Sequence, residues 1–297
     1  MKSRGIIFSL VLLYFLPGLG ALEFWPLKET ELRRVFLQTS VNGVFPGVDL
    51  AGTSVDVVSP DKGEIVFNSD AGKTRLQKLP SALGSFVMIA HEENLRSVVS
   101  QFVPSAFLSS RQTVQAGDRI GSALDPVAPR VRLFVFDHQL STVVNPQMVL
   151  PSLPDSRAPI FFDANLVSED GKQSFSLVRQ NRATNGYWTM LLDVGDPQSS
   201  GTGREFLKGI FSVEAFHNGT EFFNSAAESL KSEDGQLFFY ESSNQSPKKA
   251  REIRSADRIW NLGRIFITEG TNIIEIVISD YAGNESSRTF NLRGGRF

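Results

Sequence analysis

Cysteine is absent from all 297 residues. Disulfides, thiolate metal sites and a lipid-modified N-terminal cysteine are therefore excluded. Histidine is scarce, with three copies at His91, His138 and His217. Charge of one sign is missing as well. Lysine and arginine total 30 against 32 acidic residues, for a net charge of −2, which argues against a protein that tracks nucleic-acid phosphates. Glycine-rich phosphate loops are absent, and past the first two dozen residues no apolar run is long enough to span a bilayer. Phenylalanine is plentiful, at 24 copies. Together with alternating apolar and polar stretches and frequent glycine and proline, it points to an all-β chain.

Lys2 and Arg4 precede an apolar run from Ile6 to Leu16, followed by Pro17-Gly18-Leu19-Gly20-Ala21. The pattern predicts a signal peptide over residues 1–21 and a periplasmic or secreted protein of the cell envelope. The length suggests two domains. Three prolines between Pro151 and Pro159 predict an exposed, protease-sensitive linker over 151–159, separating domains at 22–150 and 160–297. The second of these carries about seven short runs separated by polar turns. In Asn272 to Ser279, Ile274, Ile276 and Ile278 share one face, as in a half-buried strand. This domain reads as an Ig-like β-sandwich. The Asp280-Tyr281-Ala282-Gly283-Asn284 segment is a turn, and the basic run Lys248 to Arg254 reads as a solvated loop.

The first domain holds a succession of motifs: Phe45-Pro46-Gly47-Val48-Asp49-Leu50-Ala51, Val55 to Phe67 (VDVVSPDKGEIVF), Gly84 to His91 (GSFVMIAH), Val114 to Gly121 (VQAGDRIG), Pro129 to Phe134 (PRVRLF) and Val144-Asn145-Pro146. In order and spacing the set resembles the LytM-type domain of the M23 family of zinc peptidoglycan endopeptidases. The resemblance covers about residues 25–150 and implies an antiparallel β-sheet domain.

In that family a His-x-x-x-Asp motif and a His-x-His motif supply the zinc ligands and a catalytic histidine. Carried onto this chain, the ligand positions are Phe45, Asp49 and Arg132, and the catalytic positions are Gln101 and Arg130. A phenyl ring has no lone pair, and a guanidinium is a permanent cation with no acceptor. A catalytic zinc needs three protein ligands and an open position for water, and of the five positions only Asp49 keeps a residue fit for its task. The resemblance thus implies a pseudoenzyme with no cofactor and no metal.

Asp49 without its cation would be costly if buried unpaired. Arg130 and Arg132 fall on one strand face, so Arg132, or failing it Arg130, is expected to pair with Asp49. A replacement zinc site from His91, His138 and Asp49 would need unrelated edges to converge.

The implied function is a non-catalytic envelope protein that binds peptidoglycan or regulates a cell-wall hydrolase, as degenerate members of the family activate amidases. The alternatives are an active zinc endopeptidase with relocated ligands and a purely structural envelope protein.

Overall fold

The computed structural model describes residues 21–40, 43–70, 83–199, 205–240, 248–254 and 258–296. The predicted signal peptide lies almost wholly outside them. The chain is all-β, with 57% of the described residues in strands and 5% in helices. Among the described residues no helix is long and apolar enough to cross a membrane.

In the first half, alternation sorts residues between two faces of one large antiparallel sheet. Along the Arg130–Asp137 strand, Val131, Leu133 and Val135 point into a core, while Arg130, Arg132, Phe134 and Phe136 point the other way. The core lies between this sheet and a three-stranded sheet of Asp56–Val58, Arg119–Ala123 and Phe102–Pro104. Val57, Phe102 and Ile120 close it from one side, and Val87, Val99 and Leu133 from the other. The opposite face of the large sheet carries a smaller cluster of Phe45, Val98 and Phe134, with Phe86, Met88 and Phe136 packed around it.

The second half is a sandwich of two five-stranded sheets. The inward residues of one, including Leu166, Met190, Leu192 and Leu262, meet Val213, Ile274, Ile276 and Ile278 of the other. The long Gly186–Ser199 strand organises the first sheet, pairing with Ile160–Ser168, Ile259–Ile267 and Glu205–Lys208. One ladder is parallel, joining Arg182–Thr184 to the end of Glu285–Gly295.

The chain builds two large apolar cores, and a hydrogen-bonded framework joins them. Thr142–Val144, at the end of the first half, pairs with Ser229–Glu233 from the second, which continues through Gln236–Phe239 to Lys248–Lys249. The large sheet therefore crosses the boundary and recruits a hairpin from the sandwich. Phe36 and Leu37, early in the chain, belong to the sandwich core.

The connecting segment is largely exposed and is tied to both halves. Trp25 donates its indole N–H to the Pro151 carbonyl at 2.8 Å, and Ser286 donates its hydroxyl to the Pro159 carbonyl at 2.6 Å. Prolines hold the segment extended, and polar groups of both halves bind its carbonyls. The basic run also differs from a solvated loop. It forms a two-residue strand and a short helix, Ala250–Ile253, and Arg254 is buried against Trp260.

Candidate functional site

Three segments that are distant in sequence bring Phe45, Asp49 and Arg132 together. Val48–Ala51 buries Val48 and Leu50 in the core, so Asp49 projects from the other face. That strand is central in its ladder. Across one edge Asp49 is the register partner of Arg132, and across the other it is the partner of Arg34. Arg132 Nε donates to Asp49 Oδ1 at 2.7 Å, with a longer contact of 3.5 Å from its terminal nitrogen to Oδ2. The side chains of Arg132 and Asp49 retain 20% and 28% exposure, so the pair is shielded without being sealed.

Phe45 completes the group. It is buried, and its ring meets Phe134 edge-on at 5.8 Å between centroids. The Arg34 guanidinium lies 4.0 Å from the ring centre and that of Arg132 5.1 Å, so the aromatic face interacts with two cations. Backbone bonds hold the ring in place: Phe45 N–H donates to the Gln38 carbonyl, and the Phe45 carbonyl accepts from Leu37 N–H, each at 2.9 Å. Gly47 has a steric reason. A Cβ there would stand 2.6 Å from the Phe134 ring and 2.7 Å from the Leu133 carbonyl oxygen. Positions 45, 49 and 132 thus form one packed cluster of ring, carboxylate and guanidinium.

The remaining two positions lie beside it. Gln101 follows Ser100, the register partner of Arg132, and sits in left-handed backbone at φ 65° where the chain leaves the large sheet for the small one. Arg130 does not join the pair. It is exposed, opposite Ala51, at the rim of a hollow of about 250 Å³ bordered by Glu29, Glu31, Arg33 and Thr53. Past the cluster the same sheet face turns apolar, with Phe86 stacked on the exposed ring of Phe67 at 5.4 Å.

The histidines are dispersed. His91 donates from Nδ1 to the Lys62 carbonyl at 2.9 Å, which leaves Nε2 to accept from the Ser97 hydroxyl at 2.7 Å. Burial pulls its imidazolium below the ordinary range, against the hydrogen bond to Lys62 and the Asp61 charge. His138 is exposed on a turn, and His217 contacts Asn272. None of the three approaches Asp49 to form a replacement ligand set.

Sequence reasoning missed Arg34, whose relation to Phe45 needs a third strand. It also missed a second polar cluster where the halves meet. Asp155, Asp196 and Asp280 offer carboxylate oxygens that all lie within 4.8 Å of one another. Burial first, then the Asp155 and Asp280 charges, push the Asp196 carboxyl up to about 7, opposed by Lys208 and Arg157. Burial likewise draws Lys208 down to about 8, against the attraction of Asp196 and Asp155. Only the Asp280 turn left a local signal, and it marks a turn without naming its neighbours.

Comparison with known proteins adds one match. A protein family of uncharacterised function is similar to residues 158–293, the sandwich half. The match lies outside the segment that carries the endopeptidase-like motifs. No curated protein matches the chain.

Proposed function

We propose that the protein is a non-catalytic, LytM-like component of a bacterial envelope that binds peptidoglycan or regulates a cell-wall hydrolase. The observation that carries this reading is the Asp49–Arg132 pair under Phe45. A guanidinium stands where a third ligand would complete a zinc site and already engages the one remaining ligand, while the ring fills the first position. Neither group can activate water through a metal. The neighbouring surface suits binding. Exposed Arg130 beside the hollow offers a donor fork for a carboxylate, and the Phe67–Phe86 stack gives an apolar platform.

The test uses purified full-length protein and dye-labelled peptidoglycan sacculi. Co-sedimentation and dye release are measured with the protein alone and with a cell-wall amidase added. The expected result is no release by the protein alone, with retention on sacculi or faster release by the amidase. Release by the protein alone, or about one tightly held Zn²⁺ per chain lost in Asp49→Ala, would return the active-hydrolase reading. Neither retention nor stimulation would favour a structural role.

A further inference from the structure

The contact region between the halves contains oxygen acceptors that the fold leaves without donors. Asp196 lies on the Gly186–Ser199 strand, is 2% exposed, and its Oδ1 has no hydrogen-bond partner. Gln147, on the short Pro146–Val149 helix, has its Oε1 buried and unpartnered as well. Both residues line one cavity together with Asp155 of the connecting segment. Its free space is about 20 Å³, room for a single water-sized particle. Two buried acceptors without donors, on residues that line one small void, are an expensive arrangement.

We propose that Asp155, Asp196 and Asp280, with Gln147, bind one hard divalent cation of the calcium class and thereby clamp the two halves together.

The donor set is all oxygen, which selects a hard cation over zinc or copper. Room for water separates calcium from magnesium. Magnesium gives up its waters reluctantly and usually keeps several, whereas this cavity of about 20 Å³ holds one water-sized particle. The carboxylate oxygens lie within 4.8 Å of one another, close enough to share one ion. The Asp280 carboxylate is aimed by its turn: Oδ1 accepts from Ala282 and Asn284 N–H, and Oδ2 from the Asn284 amide. Oδ2, with one of those bonds, keeps lone-pair capacity for an ion.

Lys208 and Arg157 act on the same carboxylates. Two cations against three carboxylates leave a net negative charge, and the Asp196 and Gln147 oxygens remain without donors. The ligands come from the last helix of the first half, the connecting segment and two places in the sandwich. An ion bound there would fix all four segments. This inference does not rest on the reading of the Asp49 cluster.

The experiment uses the full chain after chelator treatment. Terbium is titrated with excitation of tyrosine and tryptophan, because Trp25 and Tyr281 line the cavity and would sensitise its emission. The expected result is saturation at one ion per chain, displacement by calcium and not by sodium, and a higher Tm with calcium. Asp196→Asn keeps the shape of the side chain and removes a buried charge. It should weaken binding by about tenfold or more, since affinity follows ligand charge, without lowering the Tm of the metal-free protein. Asp155→Asn, on the connecting segment, should also weaken binding and serves if Asp196→Asn does not fold.

No saturable emission, no change of Tm up to about 5 mM calcium (above the roughly millimolar range of weak extracellular sites), or unaltered binding in both variants would each overturn the proposal. Stabilisation on mild acidification with none from calcium would overturn it too, and would assign the pocket to a shared proton.

Discussion

At the residue scale, strand register decides which partner the Asp49 charge finds. Asp49 is held by ladders on both sides, and its charge needs a partner wherever it is shielded. Arg132 provides one with a short Nε bond of 2.7 Å. An exposed pair contributes about 0–1 kcal/mol, while breaking a buried one from one side costs about 3–5 kcal/mol. With about a quarter of each side chain exposed, the loss in Asp49→Ala should fall between these, at about 2 kcal/mol. Thermal unfolding should register it as a fall in Tm of several degrees. The double change Asp49→Leu, Arg132→Met should recover most of the loss, because Phe45 and Phe134 already make the surroundings apolar. An Asp49→Ala protein that melts with the parent would mean that solvent, and not Arg132, satisfies the carboxylate.

At the element scale, the site is made by strand alternation and by one tight turn. From Arg130 to Phe136 one strand separates a valine–leucine core face from an arginine–phenylalanine outer face. The entry to Val48–Ala51 passes beneath Phe134, and Gly47 is there because any side chain would overlap a backbone oxygen and the ring. The Leu133 carbonyl is fixed in the ladder to Val48 and cannot move aside cheaply. Gly47→Ala should therefore destabilise the fold by about 1–3 kcal/mol, as overpacking does. It should also shift the near-ultraviolet signal of the phenylalanines by displacing Phe134 from Phe45. Full stability with an unchanged aromatic signal would show that the turn is looser than these contacts imply.

At the scale of the whole molecule, the halves share hydrogen-bonded structure. The Thr142–Val144 ladder to Ser229–Glu233 makes one sheet of strands from both sides of the connecting segment. Asn145 reinforces the junction from a fully buried position. Its amide donates to the Ala227 carbonyl at 2.7 Å and to the Tyr281 hydroxyl at 3.0 Å, while its own oxygen caps the next helix at Gln147. Separate cores would melt separately if only a flexible tether joined them. A shared ladder should instead give one cooperative transition for the full chain by calorimetry. Asn145→Ala leaves buried partners unpaired and should cost about 2 kcal/mol or more, lowering and broadening that transition. Two well-resolved transitions in the parent protein would contradict the coupling.

The sequence by itself determined the all-β class of structure, because alternation and turn residues act locally. Ile274, Ile276 and Ile278 turn inward as their period requires, and so do Val131, Leu133 and Val135. It also held the elements of the Asp49 cluster, since motif order brought positions 45, 49 and 132 into consideration before any coordinates. What it could not hold was long-range register. Arg34 reaches Phe45 through an adjoining strand, and Arg254 leaves solvent because Trp260 is folded against it. The Ser229–Glu233 hairpin joins a sheet that begins in the other half. Asp155, Asp196 and Asp280 look like unrelated surface acids along the chain, and only the folding of the sandwich with the connecting segment against it brings their oxygens within 4.8 Å. Burial and charge proximity depend on which strands become neighbours, and that choice belongs to the folded molecule as a whole.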